Sequence, residues 1–155
     1  MHTDIPTRTD IERLLAVREP GCVSIYLPTS PITQEAGADR IELKNLSAEA
    51  IEQLRRAGHD KREVDEIEDV LADLHDDDVF WARQANSLAV FATAAGARTF
   101  RLPNRLTAVV EVSDRFHVKP LLRTVTFPQA AFVLALSQNA ARLIEAAADA
   151  PPVEV

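Results

Sequence analysis

Residues 22–27 read Cys-Val-Ser-Ile-Tyr-Leu, a short apolar run rich in β-branched side chains, which predicts a buried strand. Two prolines end this strand and begin a loop that extends to about Gly37. Apolar residues then recur at helical spacing over residues 38–56, and a second amphipathic helix follows an N-cap at Asp60. These patterns predict an antiparallel helical hairpin, joined at Gly58 and inserted directly after the first strand.

Helix signals also stand on either side of this unit. Thr9 and Glu12 have the spacing of a capping box, which predicts a first helix that stops before Gly21. The three aspartates at 76–78 predict the start of a short helix that carries Trp81, because negative charge suits a helix N-terminus.

Strand patterns dominate the chain after Asn86. The runs that predict strands are 87–93, 98–102, 106–112, 131–137 and 140–146. Between them, residues 120–122 predict one helical turn and residues 138–139 a two-residue hairpin turn, whereas residues 147–155 are predicted to fray. Together the elements predict an α+β (mixed α/β) fold, with a mostly antiparallel or mixed sheet of about five to six strands and the helical hairpin inserted after the first.

The last predicted hairpin suggests a division of the chain. Residues 1–128 hold enough elements for one N-terminal α/β domain, since a length of about 100–200 residues is usual for a domain. Residues 129–155 form an apolar β-hairpin, and isolated hairpins are marginally stable. We expect this hairpin either to join the sheet of the first domain or to begin a second domain that is truncated here.

Composition excludes several classes of protein and site. The 155 residues are 46% hydrophobic and 26% charged, which is typical of a globular protein. A single cysteine, Cys22, excludes a disulfide framework and a multi-cysteine metal site, and it is expected to be a core residue. No apolar run has the length of a membrane span, no Gly-rich loop could hold a phosphate, and no cofactor or metal is expected. We therefore expect a cytoplasmic protein.

Charge is distributed unevenly along the chain. The formal net charge is −7, and residues 60–78 carry most of the acidic excess. Residues 98–123 are instead rich in arginine and lysine. Because polyphosphate binding needs local rather than total positive charge, the net value argues against a nucleic-acid coat protein and still permits a local RNA contact.

Three stretches together carry a family resemblance. They are Cys22-Val-Ser-Ile-Tyr-Leu-Pro-Thr29, Asp114-Arg-Phe-His-Val-Lys-Pro-Leu-Leu122 and Leu134-Ala-Leu-Ser-Gln-Asn-Ala-Ala-Arg-Leu143. With residues 40–46, 80–81 and 88–91 between them in order, the chain resembles the bacterial archaeo-eukaryotic release factor family, relatives of the eukaryotic and archaeal peptide-chain release factors.

The resemblance implies a translation-associated protein with an N-terminal α/β domain and a central domain of ribonuclease-H-like topology. On this basis residues 132–146 would be the first hairpin of the central domain. Release factors of that lineage act through a Gly-Gly-Gln loop, and this chain has no Gly-Gly pair. Peptidyl-tRNA hydrolysis is therefore not assigned to it. The resemblance implies a non-catalytic module that contacts the ribosome or tRNA.

A set of six basic residues is the candidate RNA-binding site. Arginine forms bidentate contacts with phosphate and lysine acts as a point charge, so a cluster of both is suited to an RNA backbone. The candidate residues are Arg98, Arg101, Arg105, Arg115, His117 and Lys119. An ordinary charged strand face, or a connector whose ion pairs fix its course, is the alternative interpretation of the same residues.

Two other functions stay open from the sequence. A small hydrolase would use His117 and Asp114 as acid and base, although the nearest hydroxyl nucleophile, Ser113, lies about 13 Å away on an extended chain. A structural domain would self-associate as a homodimer through the terminal hairpin. No catalytic residue is assigned.

Overall fold

The structure, a computed structural model, describes residues 2–32, 35–126, 130–137, 140–147 and 150–154. Up to Thr126, the described residues build one antiparallel sheet with helices on both faces. In chain order the elements are α1 (Arg8–Ala16), β1 (Cys22–Pro28), α2 (Ala36–Ala57), α3 (Lys61–Asp76), α4 (Asp78–Trp81), β2 (Ser87–Thr93), β3 (Gly96–Leu102), β4 (Val109–Ser113) and α5 (Lys119–Thr126). The strand order is β3-β2-β1-β4.

Strand β1 lies at the centre of this sheet, and this position explains its apolar sequence. Side chains alternate between the two faces of a strand, so a strand that is covered on both sides needs apolar residues throughout. Ile25 and its neighbours on the same face pack against α2, α3 and α4, whereas Tyr26 faces a second cluster with Leu14 of α1 and Leu121 of α5. All residues from Cys22 to Leu27 are buried.

The helical hairpin is confirmed. Gly58 ends α2 with φ +81°, a left-handed conformation that glycine adopts without strain, and its backbone N–H bonds to the last turn of the helix. The Asp60 carboxylate then accepts a hydrogen bond from the backbone N–H of Arg62 at 2.9 Å, which caps α3 as the sequence predicts. The short α4 also forms, capped by Asp77.

Some predicted boundaries are wrong. The capping box of α1 is formed by Thr7 and Asp10, not by Thr9 and Glu12, because the Thr7 hydroxyl accepts from the Asp10 N–H and the Asp10 carboxylate accepts from the Thr7 N–H. Helix α2 begins at Ala36, within the predicted loop, and α5 has eight residues rather than one turn.

Strand β4 also begins later than predicted, at Val109 rather than at Leu106. The backbone N–H of Leu106 donates to the Ser87 hydroxyl at 2.7 Å instead of joining the strand ladder.

The last described strands form a sheet of their own. They are β5 (Ala130–Ser137), β6 (Ala140–Ala147) and β7 (Ala150–Glu154), and they pair antiparallel in that order. Residues 147–155, predicted to fray, therefore contribute a strand, while the predicted turn at 138–139 lies outside the described residues. The α+β class is confirmed, with its strands divided between two sheets. In the described part of the chain, no helix is both long and apolar enough to cross a membrane.

Candidate nucleic-acid interface

The connection between β4 and α5 is fixed on the face of the sheet that α1 also covers. Phe116 and Val118 are buried against this face. The Tyr26 hydroxyl donates to the His117 carbonyl at 2.6 Å, and the His117 N–H donates to the Ser24 hydroxyl at 2.9 Å. Both anchors belong to the central strand, so the path of the connection and the start of α5 are set by the core.

Helix α5 then presents two cations outward. Leu121 is fully buried, whereas Lys119 and Arg123, four residues apart, lie on one exposed face of the helix. The Thr124 hydroxyl donates to the Asn104 side-chain oxygen at 3.0 Å, which ties the helix to the loop before β4. That loop carries Arg105, so the third cation is held beside the other two.

Arg105, Lys119 and Arg123 line one cavity of about 290 Å³, which we call the basic cavity. Its other walls are apolar or weakly polar, formed by Leu106, Thr107, Val109 and Pro120. Within the described ranges none of the three cations makes an ion pair. Three like charges without a carboxylate partner repel each other, and a bound anion would relieve that repulsion.

The charge of Asp39 interacts with this cluster, through Arg105. Burial raises the pKa of Asp39, while its carboxylate accepts a hydrogen bond from the Ser30 N–H at 2.8 Å. Asp39 therefore offsets part of the positive charge at Arg105, although the two side chains form no ion pair in the described structure.

Arg101 lies on the opposite face of the sheet from Arg98, because the two are three positions apart on β3. Its guanidinium forms an ion pair with Asp4 and stands over the Phe80 ring, 4.4 Å from the ring centroid. The side chain is only 14% exposed. Arg101 therefore holds the N-terminal segment and α4 to the sheet and is not available to a ligand.

Arg98 belongs to a second cavity, next to the β2–β3 turn, which we call the hairpin cavity. This cavity of about 290 Å³ is also lined by Arg13 and Glu19, over apolar side chains that include Phe91 and Phe116. Arg98 lies 3.7 Å from the Asp10 carboxylate, a distance at the outer limit of an ion pair, and is half exposed.

Arg115 and His117 stand apart from both groups of cations. The Arg115 guanidinium forms a two-point contact with the neighbouring Asp114, which lowers the pKa of that carboxyl to about 2. The His117 ring packs edge-on against Tyr26, with 6.4 Å between ring centroids. No hydrogen bond joins His117 to Asp114 in the described structure, and neither residue lines one of the cavities above.

The structure thus brings together Arg105 and Lys119 of the predicted set and adds Arg123. Arg123 could have been predicted from the sequence, because Lys119 and Arg123 have the i,i+4 spacing of one helix face. No sequence pattern predicts that Arg13 lines the hairpin cavity, because its position beside Arg98 depends on how α1 packs on the sheet.

Other candidate groups have structural roles. Cys22 is fully buried, its thiol donates to the Glu19 carbonyl at 3.4 Å, and burial raises the pKa of that thiol, all of which suit a core residue. Among the residues that the structure describes, no group of three or more histidine, cysteine or carboxylate side chains is placed to hold a metal ion.

Comparison with known proteins supports the fold alone. No family model and no curated protein matches the chain. A solved structure described as "Archaeal protein" is similar over 93% of this chain, with a TM-score of 0.52 and 15% sequence identity. The matched region covers 43% of that structure's chain, so this protein spans less than half of the length of the protein that it resembles.

Proposed function

We propose that this protein is a non-catalytic, cytoplasmic module of a release-factor-like translation protein, and that it contacts ribosomal RNA or tRNA. The observation that carries the proposal is the basic cavity, where Arg105, Lys119 and Arg123 converge without an ion-pair partner among the described residues. Guanidinium and ammonium groups around a shallow cavity can hold a phosphate. The family resemblance of residues 22–29, 114–122 and 134–143 supports a role in translation.

The arrangement of charge across the sheet supports binding through this face. The acidic helix α3 packs on the face that contains Ile25, whereas the basic cavity lies beside Val109 and Tyr26 on the other face. A polyanion is therefore repelled from one side of the protein and attracted to the other. A protein with net charge −7 can in this way present a locally positive surface.

The hydrolase hypothesis receives no comparable support. Asp114 is exposed and already engaged by Arg115, and His117 is held through its backbone by the central strand. An acid–base pair needs its side chains to converge beside a place for substrate, and the cavities described above are formed by other residues.

The test measures binding to ribosomes and to tRNA by the wild-type protein and by the triple variant Arg105→Gln, Lys119→Gln and Arg123→Gln. Each lost phosphate contact lowers the dependence of log affinity on log salt by roughly one unit, so we expect the slope to fall by up to about three. Affinity at low salt is expected to fall by at least about tenfold.

The matched control removes the same charge elsewhere. Arg56, Lys61 and Arg62 are exposed on the helical hairpin, and their change to glutamine alters the net charge equally. We expect this control to bind as the wild type does. Equal losses in both triple variants would mean that only net charge matters, and binding that survives loss of the basic cavity would reject the site.

A second candidate function, self-association, is favoured by strand β5. Its side chains at Phe132, Val133, Leu134 and Leu136 are all at least half exposed, on both faces of the strand. Strand β5 is also an edge of its sheet, and its sequence carries no charge. An apolar edge strand of this kind is a template for pairing with a second copy across a two-fold axis.

A further inference from the structure

We propose that the RNA segment recognised by this protein is double-stranded, and that its phosphate backbone touches the basic cavity and the hairpin cavity together. This inference rests on the proposed function and names the form of its ligand. It follows from where the aromatic side chains lie and from where the two cavities stand relative to each other.

Aromatic side chains are absent from the exposed surface of the described four-stranded fold. The aromatic residues of this part are all buried, at 8% exposure or less: Tyr26, Phe80, Trp81, Phe91, Phe100 and Phe116. Proteins that bind single-stranded RNA usually stack unpaired bases on exposed aromatic rings. This surface has cations without such platforms, which suits recognition of a backbone rather than of bases.

The hairpin cavity brings a second pair of arginines, Arg13 and Arg98, to the same face of the sheet. Arg13 makes no ion pair among the described residues, and Arg98 is half exposed beside it. Phe116, which belongs to the connection leading to the basic cavity, lines the hairpin cavity with them. Glu19 lines the same cavity, and the Asp10 carboxylate lies 3.7 Å from Arg98. Two carboxylates therefore balance the two arginines, and the hairpin cavity is a weaker phosphate site than the basic cavity.

The two cavities lie far apart on this face. The hairpin cavity lies at Thr93 and Gly96, which are level with the start of β1 in the sheet. The basic cavity lies at Val109 and the residues before it, and Val109 pairs with Tyr26 near the end of β1. At about 3.3 Å per residue and about 4.8 Å per strand, the separation is on the order of 20 Å. A rigid duplex presents phosphates over such a span at fixed positions, whereas a flexible single strand would lose conformational entropy in bridging it.

The experiment compares three probes at low salt by fluorescence anisotropy: a 16-base-pair RNA duplex of mixed sequence, its unpaired 16-nucleotide strand, and a 16-nucleotide polyuridine. We expect the duplex to bind at least about tenfold more tightly than either single strand. The paired substitutions Arg13→Gln and Arg98→Gln are expected to weaken duplex binding by about tenfold and to lower the salt slope by about two.

The outcomes separate this inference from the proposed function. Single strands that bind as tightly as the duplex would overturn the inference and leave RNA binding intact. Duplex binding that is unchanged in the Arg13 and Arg98 variant would also overturn it, because one cavity would then suffice. If the protein binds neither the three probes nor ribosomes nor tRNA, the proposed function itself is rejected. Circular dichroism of each variant excludes loss of folding as the cause.

Discussion

Arginines of similar sequence context have different roles in this protein because their surroundings differ. Arg105 is exposed in a cavity with two other cations, while Arg101, four residues earlier, packs on Phe80 and pairs with Asp4. A guanidinium that is already desolvated and ion-paired must break those contacts before it can bind a ligand. Sequence proximity alone therefore does not define which cations are available to a ligand.

We predict that Arg101→Ala destabilises the fold without weakening the RNA binding proposed above. The change removes the ion pair with Asp4 and the contact with the Phe80 ring, which together should lower the free energy of unfolding by about 1–2 kcal/mol. Urea unfolding, followed by the fluorescence of Trp81, measures this loss. Arg115→Ala, at an exposed site, serves as the control and should leave the midpoint nearly unchanged. Reduced RNA affinity in folded Arg101→Ala protein would contradict this assignment.

A second prediction concerns Tyr26, the single tyrosine of the chain. Burial raises the pKa of Tyr26 above its ordinary value near 10. Above pH ~10 the unfolded chain loses this proton and the folded protein keeps it, so the free energy of unfolding falls as the pH rises. Phenolate absorbance should therefore appear at higher pH in the native protein than in denaturant. Coincident titrations in the two states would show that the hydroxyl is accessible.

At the scale of an element, the start of α1 shows which of two possible capping boxes forms. Thr7 and Thr9 both precede an acidic residue by three positions, so each has the pattern of a capping box. The structure uses Thr7 with Asp10, and their mutual hydrogen bonds place the helix two residues earlier than predicted. The first turn then brings Asp10 within reach of Arg98.

We predict that Thr7→Ala lowers the free energy of unfolding by about 1 kcal/mol, whereas Thr9→Ala changes it by less than about 0.5 kcal/mol. The physical reason is that only Thr7 accepts the hydrogen bond from the Asp10 N–H at the helix start. Chemical denaturation of the two variants side by side measures the difference. A larger effect of Thr9→Ala than of Thr7→Ala would instead support the capping box of Thr9 and Glu12 that the sequence predicts.

Local patterns predicted most elements because their signals are short in range. Gly58 and Asp60 mark the helical hairpin within three residues, and the run 87–93 predicts β2 with its observed bounds. The site was harder to predict, because it depends on contacts between distant residues. The hydrogen bond between Thr124 and Asn104 brings Arg105 beside α5. No pattern in the sequence of either segment predicts this hydrogen bond.

At the scale of the whole molecule, the two sheets differ in how they are covered. The four-stranded sheet has helices on both faces and a core that includes fully buried Leu88. The sheet of β5, β6 and β7 leaves Leu134 59% exposed. A bidentate ion pair between Arg142 and Glu154 links two of its strands on the surface.

We predict that Leu134→Lys changes association and not the stability of the first sheet. Light scattering should show concentration-dependent dimers for the wild type and monomers for the variant, since charge blocks edge-to-edge pairing. Unfolding reported by Trp81 should stay within about 0.5 kcal/mol of the wild type, whereas Leu88→Ala should cost about 3 kcal/mol. A wild-type protein that stays monomeric at every concentration would reject self-association.

The central place of β1 has a consequence for synthesis. Its two neighbours are made much later, β2 from Ser87 and β4 from Val109. At roughly 5–20 residues per second, the emerging chain carries an unpaired apolar strand for several seconds. Helices α2 and α3 can pair in that interval because their contacts are close in sequence. The nascent polypeptide is thus most prone to misassembly before Ser113 leaves the exit tunnel, and chaperone contact is expected to concentrate in that window.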